Sequence, residues 1–240
     1  MPHPISPVTD APGAAPARVR LPPATHVGGL TLQVSDLARS FAYYRDLLGL
    51  RLLEVSGDRA RLGVPGTESP LVTLHAVPGT SSAGRRGAFG LFHFAILLPD
   101  RASLGRFVAH LAAHGIRAGM SDHLVSEALY LSDPDGLGIE VYADRPRSTW
   151  QYDGGQLAMA TEPLDVRDLV MAAGHTAWNG MPAGTTMGHM HLHVGDLGEA
   201  DRFYRHGLGF DLTTWGYPGA LFFSAGGYHH HLGTNTCAPG

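Results

Sequence analysis

LTLQVSDLARSFAYYRDLLGL, residues 30–50, returns later in the same chain as MHLHVGDLGEADRFYRHGLGF, residues 190–210. Val34, Asp36, Leu37, Tyr44, Arg45, Leu48 and Gly49 meet Val194, Asp196, Leu197, Tyr204, Arg205, Leu208 and Gly209 at one constant offset. Matches this dense mark an internal repeat, which sets the architecture before any single element is assigned. Each copy reads as an alternating strand that ends at an Asp placed to cap a helix, followed by apolar residues at helical spacing and a Leu-Gly stop. Short strands punctuated by Gly and Pro complete the unit. A weaker copy lies between the two, with its parts at residues 92–116, 128–133 and 138–144. Modules therefore start near residues 27, 91 and 187.

Outside the repeats, residues 1–25 are rich in Pro and Ala and lack the apolar stretch of a secretory signal; they read as a disordered lead-in. Residues 145–186 form a connector rich in Pro, Gly, Trp and Met, with one short helix expected around LDVRDLVMAAG. Residues 26–144 are expected to form a first domain from modules one and two, and residues 187–240 a second from module three. A net charge of −4 offers no basic surface to nucleic acid or anionic lipid, so neither is an expected partner. No apolar run reaches the roughly 20 residues of a membrane span. Cys237 is alone, which excludes a disulfide framework and a CxxC zinc site and points to a reducing, cytoplasmic compartment. The chain carries 15 histidines, several inside apolar strand-like segments where an unpaired imidazole costs free energy. That placement calls for a chemical reason.

The sharpest local pattern is His123, Leu129, Tyr130, then Asp133-Pro134-Asp135-Gly136, then Glu140. Asp-Pro-Asp-Gly makes a tight turn between two strands, so Tyr130 and Glu140 can face one cavity from paired strands. A plain hairpin with an exposed Glu is the alternative; Ile139 and Val141 on either side of Glu140 count against it. With the repeats, this pattern resembles the vicinal oxygen chelate superfamily of glyoxalases, bleomycin-resistance proteins and extradiol dioxygenases. It is most similar to the bacterial catechol-2,3-dioxygenases with four modules. Only Ser121, two places before His123, departs from their signature. The resemblance covers nearly everything after residue 26. It implies an α+β fold in which repeated βαβββ modules form cupped, mostly antiparallel barrels. A fourth module is missing before Gly240, and a fragment is expected rather than a shortened relative.

The resemblance also carries a ligand set. Its first-strand metal position falls seven residues before each strand-end Asp (36, 100, 196): Gly29 in module one, His93 in module two and His189 in module three. With Glu140 these give two histidines and one carboxylate, the facial set of non-haem iron(II) oxygenases, which manganese(II) also accepts. The pairing implied is module two with module three. On the last strand, Tyr228-His229-His230-His231, period two puts His230 on the face opposite its neighbours, and the resemblance gives His230 the place of the histidine beside bound dioxygen. A His-rich edge strand, or a ligand from His229 or His231, is the alternative. His191 and His193 share a strand face with His189 and could line the cavity, while His26, His75, His110, His114, His175 and His206 read as ordinary. Trp150, Trp178, Met159 and Met181 read equally as cavity walls or as core.

The activity implied is extradiol ring cleavage of a catechol or substituted catechol, with both atoms of O2 entering the product. His123 and Tyr130 would bond the substrate oxygen and handle protons, and no partner is expected beyond the aromatic diol, O2 and, if the chain self-associates, its own copies. Two rivals stand: a glyoxalase-like isomerase or transferase, whose sites commonly use a further Glu ligand, and a drug-binding module without catalysis. The histidines of the final strand favour the oxygenase over the first, and the His123–Tyr130 pair favours it over the second.

Overall fold

The computed structural model describes residues 19–80 and 88–236. Each repeat opens as its sequence predicts. Strands β1 (Leu30–Val34), β5 (Gly90–Leu97) and β11 (Thr186–Val194) lead into helices α1 (Leu37–Ala42), α2 (Arg101–Ala113) and α4 (Leu197–Ala200). At each junction an Asp side chain accepts the backbone N–H three residues on: Asp36 from Arg39 at 3.0 Å, Asp100 from Ser103 at 2.7 Å and Asp196 from Glu199 at 2.7 Å. A cap of this kind satisfies one of the helix's orphan donors, and its loss costs about 1 kcal/mol. Helices α1 and α4 both widen into a π-type turn, at Tyr43–Leu47 and Asp201–Gly207, so like sequences produce like irregularity. Both stop at a glycine of positive φ, Gly49 at +84° and Gly209 at +87°.

Module one adds β2 (Arg51–Ser56), β3 (Arg59–Gly63) and β4 (Val72–Ala76) and forms a four-stranded sheet of order β1-β4-β3-β2. Module two adds β6 (Gly119–Asp122), β7 (Ser126–Ser132) and β8 (Gly138–Asp144). Past the small hairpin β9 (Tyr152–Asp153) and β10 (Gln156–Leu157), module three adds β12 (Asp211–Thr214), β13 (Ala220–Ser224) and β14 (Leu232–Thr236). Modules two and three share one eight-stranded sheet of order β12-β13-β14-β11-β5-β8-β7-β6. Its centre is the antiparallel pair of first strands, β5 and β11. The first and second modules meet instead through side chains, in a core that joins Val34, Tyr44 and Leu74 to Phe94, Phe107 and Val141.

The connector folds onto this frame. Helix α3 (Val166–Ala172) forms where a short helix was expected and packs on α2. The two approach closely because Gly105 has no side chain; a Cβ there would lie 2.2 Å from the Leu169 carbonyl oxygen. The lead-in needs a correction. Residues 1–18 lie outside the described residues, but residues 19–25 follow a defined path along module three rather than a disordered one. Leu21 N–H donates to the Gly209 carbonyl at 2.9 Å, and Arg20 pairs with Asp211 at 3.1 Å. Gly209 and Gly226 admit this segment, since a Cβ on either would meet the backbone of Val19 or Pro23. No helix among the described residues is long and apolar enough to cross a membrane.

The Asp133-Pro134-Asp135-Gly136 turn docks onto module one. Asp135 accepts from the backbone N–H and hydroxyl of Ser35 and from Arg39. The buried Tyr44 hydroxyl donates to Asp133 at 3.1 Å, and Asp133 also accepts the N–H groups of Asp135 and Leu137 at 2.9 Å. This turn aims the strand that carries Glu140, so module one braces a site it does not line. Replacing Tyr44→Phe leaves Asp133 one donor short inside the protein. A loss of about 1–3 kcal/mol is expected, read as a lower urea midpoint with an unchanged denaturant slope.

Candidate metal centre

Three strands bring the expected ligands together. Ala95 on β5 stands opposite Glu140 on β8 and also opposite His189 on β11. His93, two residues before Ala95, shares its face of β5. Histidine, carboxylate and histidine therefore border one small alanine, whose methyl leaves the space between them open. The ladder is irregular where it matters. A register shift between Met187 and His189 leaves Gly188 as a bulge, which turns the following side chain inward. Gly188 is also crowded: a Cβ there would lie 1.9 Å from the Tyr142 hydroxyl oxygen. Opposite His93, Gly138 has no room for a Cβ either, with the His93 Cβ only 2.8 Å from where it would lie.

The three candidate ligand atoms lie within 4.8 Å of one another, and all three residues are buried. His189 Nε2 donates to Glu140 Oε2 at 3.0 Å. His93 Nε2 lies 3.1 Å from the same oxygen but has no hydrogen-bond partner among the described residues. A buried imidazole nitrogen directed at a point already shared by a carboxylate and a second imidazole is the donor arrangement a divalent cation requires, and the set fits a metal ion. The His189 ring is held by packing, 5.0 Å from the Tyr142 ring and 4.0 Å from that of His230, because its Nδ1 also lacks a partner. Burial pushes His189 below the ordinary imidazole value, ahead of the opposing pull of Glu140. Burial alone would raise the Glu140 carboxyl, but the contacts with His189 and His93 outweigh it and hold the group well below the carboxylate range. The state favoured is an anion facing neutral imidazole, in which a cation that replaces the Nε2 hydrogen of His189 would meet no positive ring.

The group opens on a cavity of about 640 Å³ that takes in Phe92, His123, Tyr130, Met159, His191 and His230 besides the three. Tyr130 stands directly opposite Glu140 in the β7–β8 ladder. Its hydroxyl is 2.7 Å from His123 Nε2, while His123 Nδ1 donates to the Ala160 carbonyl at 2.7 Å, so the Tyr130 hydroxyl is the donor of the pair. Burial, and next the charge of Glu140, push the Tyr130 phenol well above its ordinary value and keep it protonated. His191 lines the cavity, whereas His193 stacks on Phe92 at 4.2 Å and is not part of the lining.

The histidine triplet differs from its expected setting. Tyr228–His231 is not a strand; β14 begins at Leu232, and the triplet follows a turn at Gly226 and Gly227, whose φ angles are +61° and +69°. His230 still faces the cavity, while His229 and His231 turn away from it toward Asp144 and Ser224. Of the four apolar residues weighed as walls, Met159 alone lines the cavity. Trp150 packs on Tyr228 and His229, and Trp178 and Met181 belong to the core. Thr161, Tyr217, Phe222 and Asn235 line it too, and nothing in their sequence surroundings marks them.

Burial and like-charged neighbours lower His191 and His230 well below the ordinary imidazole value of 6.5 and push His231 down to about 4. The unfolded chain titrates near 6.5 and so binds more protons than the folded one below that pH. The stability contributed is complete above pH 6.5 and is lost as pH falls toward the folded values. The urea midpoint of metal-free protein should fall steadily from pH 7 to pH 5; a flat or rising midpoint would contradict these shifts.

A family profile described as Glyoxalase/Bleomycin resistance protein/Dioxygenase superfamily matches residues 25–141. The chain is 48% identical over 217 residues to a catechol-2,3-dioxygenase of Bacillus subtilis (strain 168), covering 89% of this chain and 75% of that protein. Among solved structures, the cppA protein of Streptococcus pneumoniae TIGR4 superposes with a TM-score of 0.48 at 13% identity, over 71% of this chain and 63% of that one. A variant of homoprotocatechuate 2,3-dioxygenase from B. fuscum gives 0.42 at 17% identity, over 93% of this chain and 55% of that one. Both scores are too low to bear on the site. Nearly half the residues shared along three quarters of a dioxygenase sequence is a different matter, and by it this chain belongs to the extradiol dioxygenases of the glyoxalase/bleomycin resistance/dioxygenase superfamily.

Proposed function

We propose that this chain is an iron(II)-dependent dioxygenase that opens the ring of catechol, or of a catechol with an uncharged substituent, beside the diol. The reading is carried by one observation: His93, Glu140 and His189 converge within 4.8 Å at the wall of a cavity. His93, Glu140 and His189 would hold the ion, and manganese(II) suits the same donors. When bound, such an ion supplies Lewis acidity toward the two catechol oxygens and the electron chemistry that dioxygen requires.

The chain's own residues do the rest. Two imidazoles and one carboxylate leave coordination positions for substrate. His123, its ring fixed by the Ala160 carbonyl, and Tyr130, protonated and hydrogen-bonded to it, stand ready to bond a substrate oxygen and pass a proton. His230 faces the same space beside His189. Phe92, Met159, Pro218, Ala220 and Phe222 give the cavity apolar walls against which an aromatic ring would pack. The single cysteine in the sequence supports a cytoplasmic setting.

Glu140→Ala should abolish metal retention, measured as bound iron after anaerobic loading and desalting. His230→Phe should keep the metal and slow formation of the yellow ring-fission product. Full activity in metal-free Glu140→Ala protein would reject the mechanism, and binding of catechol by iron-loaded wild type without turnover would favour a binding module. Charge gives a second test. Among the described residues, neither Lys nor Arg lines the cavity, and Glu140 is the one carboxylate that does. A carboxylated catechol would bring a charge into this space without a partner. Its kcat/KM should be at least roughly a hundredfold below that of catechol or a methylcatechol. Equal rates would show that the cavity wall does not select against charge.

A further inference from the structure

Behind His230 runs a line of hydrogen bonds that ring cleavage as described above does not use. His230 Nδ1 lies 2.7 Å from His229 Nδ1, and His229 Nε2 lies 3.0 Å from Asp144 Oδ1. The same Asp144 oxygen accepts from the Tyr228 hydroxyl at 3.1 Å, and that hydroxyl is 2.7 Å from the hydroxyl of Tyr142. His229 is fully buried, and the Asp144 side chain is 27% exposed. The line thus leads from the cavity wall to a carboxylate near the surface.

The direction of every bond follows from its end. A carboxylate only accepts, so His229 must present Nε2–H to Asp144. A neutral His229 then has a bare Nδ1, and the bond to His230 forms only if His230 Nδ1 carries the hydrogen. One nitrogen of His230 remains for the cavity, and it has no hydrogen. We propose that Asp144 and His229 are positioning residues that fix the tautomer of His230, so that the ring offers an unprotonated Nε2 to the substrate. His230 is then an acceptor at rest. A catechol hydroxyl can donate to it. Asp144 thus acts on His230 through His229, as a triad aspartate fixes the tautomer of its histidine. The Tyr142 and Tyr228 hydroxyls keep Asp144 in place, and Gly188 leaves room for the former, since a Cβ there would overlap the Tyr142 hydroxyl.

The catalytic part of this inference rests on the dioxygenase reading; the tautomer does not. Nitrogen-15 spectra of the full-length, metal-free protein labelled at histidine separate protonated from bare ring nitrogens, with His230→Gln assigning the ring. The wild type should show His230 protonated at Nδ1 and bare at Nε2. Asp144→Asn, whose amide can donate to His229 Nε2, should reverse the pattern, and Asp144→Glu should restore it. In the iron-loaded enzyme Asp144→Asn should lower kcat for catechol by roughly tenfold to a hundredfold with KM within about twofold, and Asp144→Glu should recover most of it. A protonated Nε2 in the wild type, or a His230 tautomer unmoved by Asp144→Asn, would overturn the proposal. If the Asn variant does not fold, the wild-type spectrum still decides. An inactive wild type with a bare Nε2 would reject the dioxygenase reading and leave the tautomer standing.

Discussion

The antiparallel ladder between β5 and β11 is the contact on which the rest depends. It is the sole strand pairing between the second and third modules among the described residues, and it sets His93 and His189 two positions apart around Ala95. Register carries the chemistry here. A one-residue slip would send each side chain to the opposite face and place both imidazoles in the apolar layer beneath the helices. That layer resists a slip, because Phe94 and Ile96 alternate with His93 and Ala95 on β5, and Met187, across the Gly188 bulge from His189, is buried with them in the core. Burial of side chains of this size contributes about 1.5–3 kcal/mol each, so the core holds the register that the site requires. The capping aspartates act on the same register from the ends, since each fixes where its strand stops.

The module pairing has a further consequence. Among the described residues module one contributes nothing to the group of His93, Glu140 and His189, and Gly29 stands at the position where modules two and three carry those histidines. It is nevertheless tied to the site through Asp133 and Asp135, which a single turn places beneath Tyr44, Ser35 and Arg39. Strand β8 leaves that turn and reaches Glu140 within a few residues. A repeat without chemistry of its own thus constrains the carboxylate from behind.

What could be read from the sequence was whatever depends on counting from a local landmark. The strand-end Asp is such a landmark, and the family resemblance sets the candidate ligands His93 and His189 seven residues before it. The Asp-Pro-Asp-Gly turn is another, and it makes Tyr130 and Glu140 cross-strand partners. Features that arise from tertiary fit were not legible. Gly188 gives no sign in the sequence that it bulges, because the crowding comes from Tyr142 on a strand far away in the chain. Period-two reasoning assumed a ladder for Tyr228–His231, whereas the Gly226-Gly227 turn holds these residues outside one; His230 reaches the cavity for a different reason from the one alternation supplies. Apolar composition could not separate Met159 from Trp150 or Trp178, since it does not say which side of a sheet a loop will cover. Residues 19–25 look featureless in sequence, and glycines of the third module give them their path.

The electrostatics of the cavity favour a metal over a proton. Glu140 is buried and needs a positive partner. Protonated histidine could serve, but His189, His191 and His230 crowd the same space, and burial with mutual repulsion lowers all three. Each proton added to one ring makes the next harder to add. A divalent cation escapes this limit, because neutral imidazoles attract it through their lone pairs while the carboxylate supplies charge. The histidine-rich wall therefore discourages protonation and leaves a demand for positive charge that a metal ion meets better than any side chain among the described residues of the cavity.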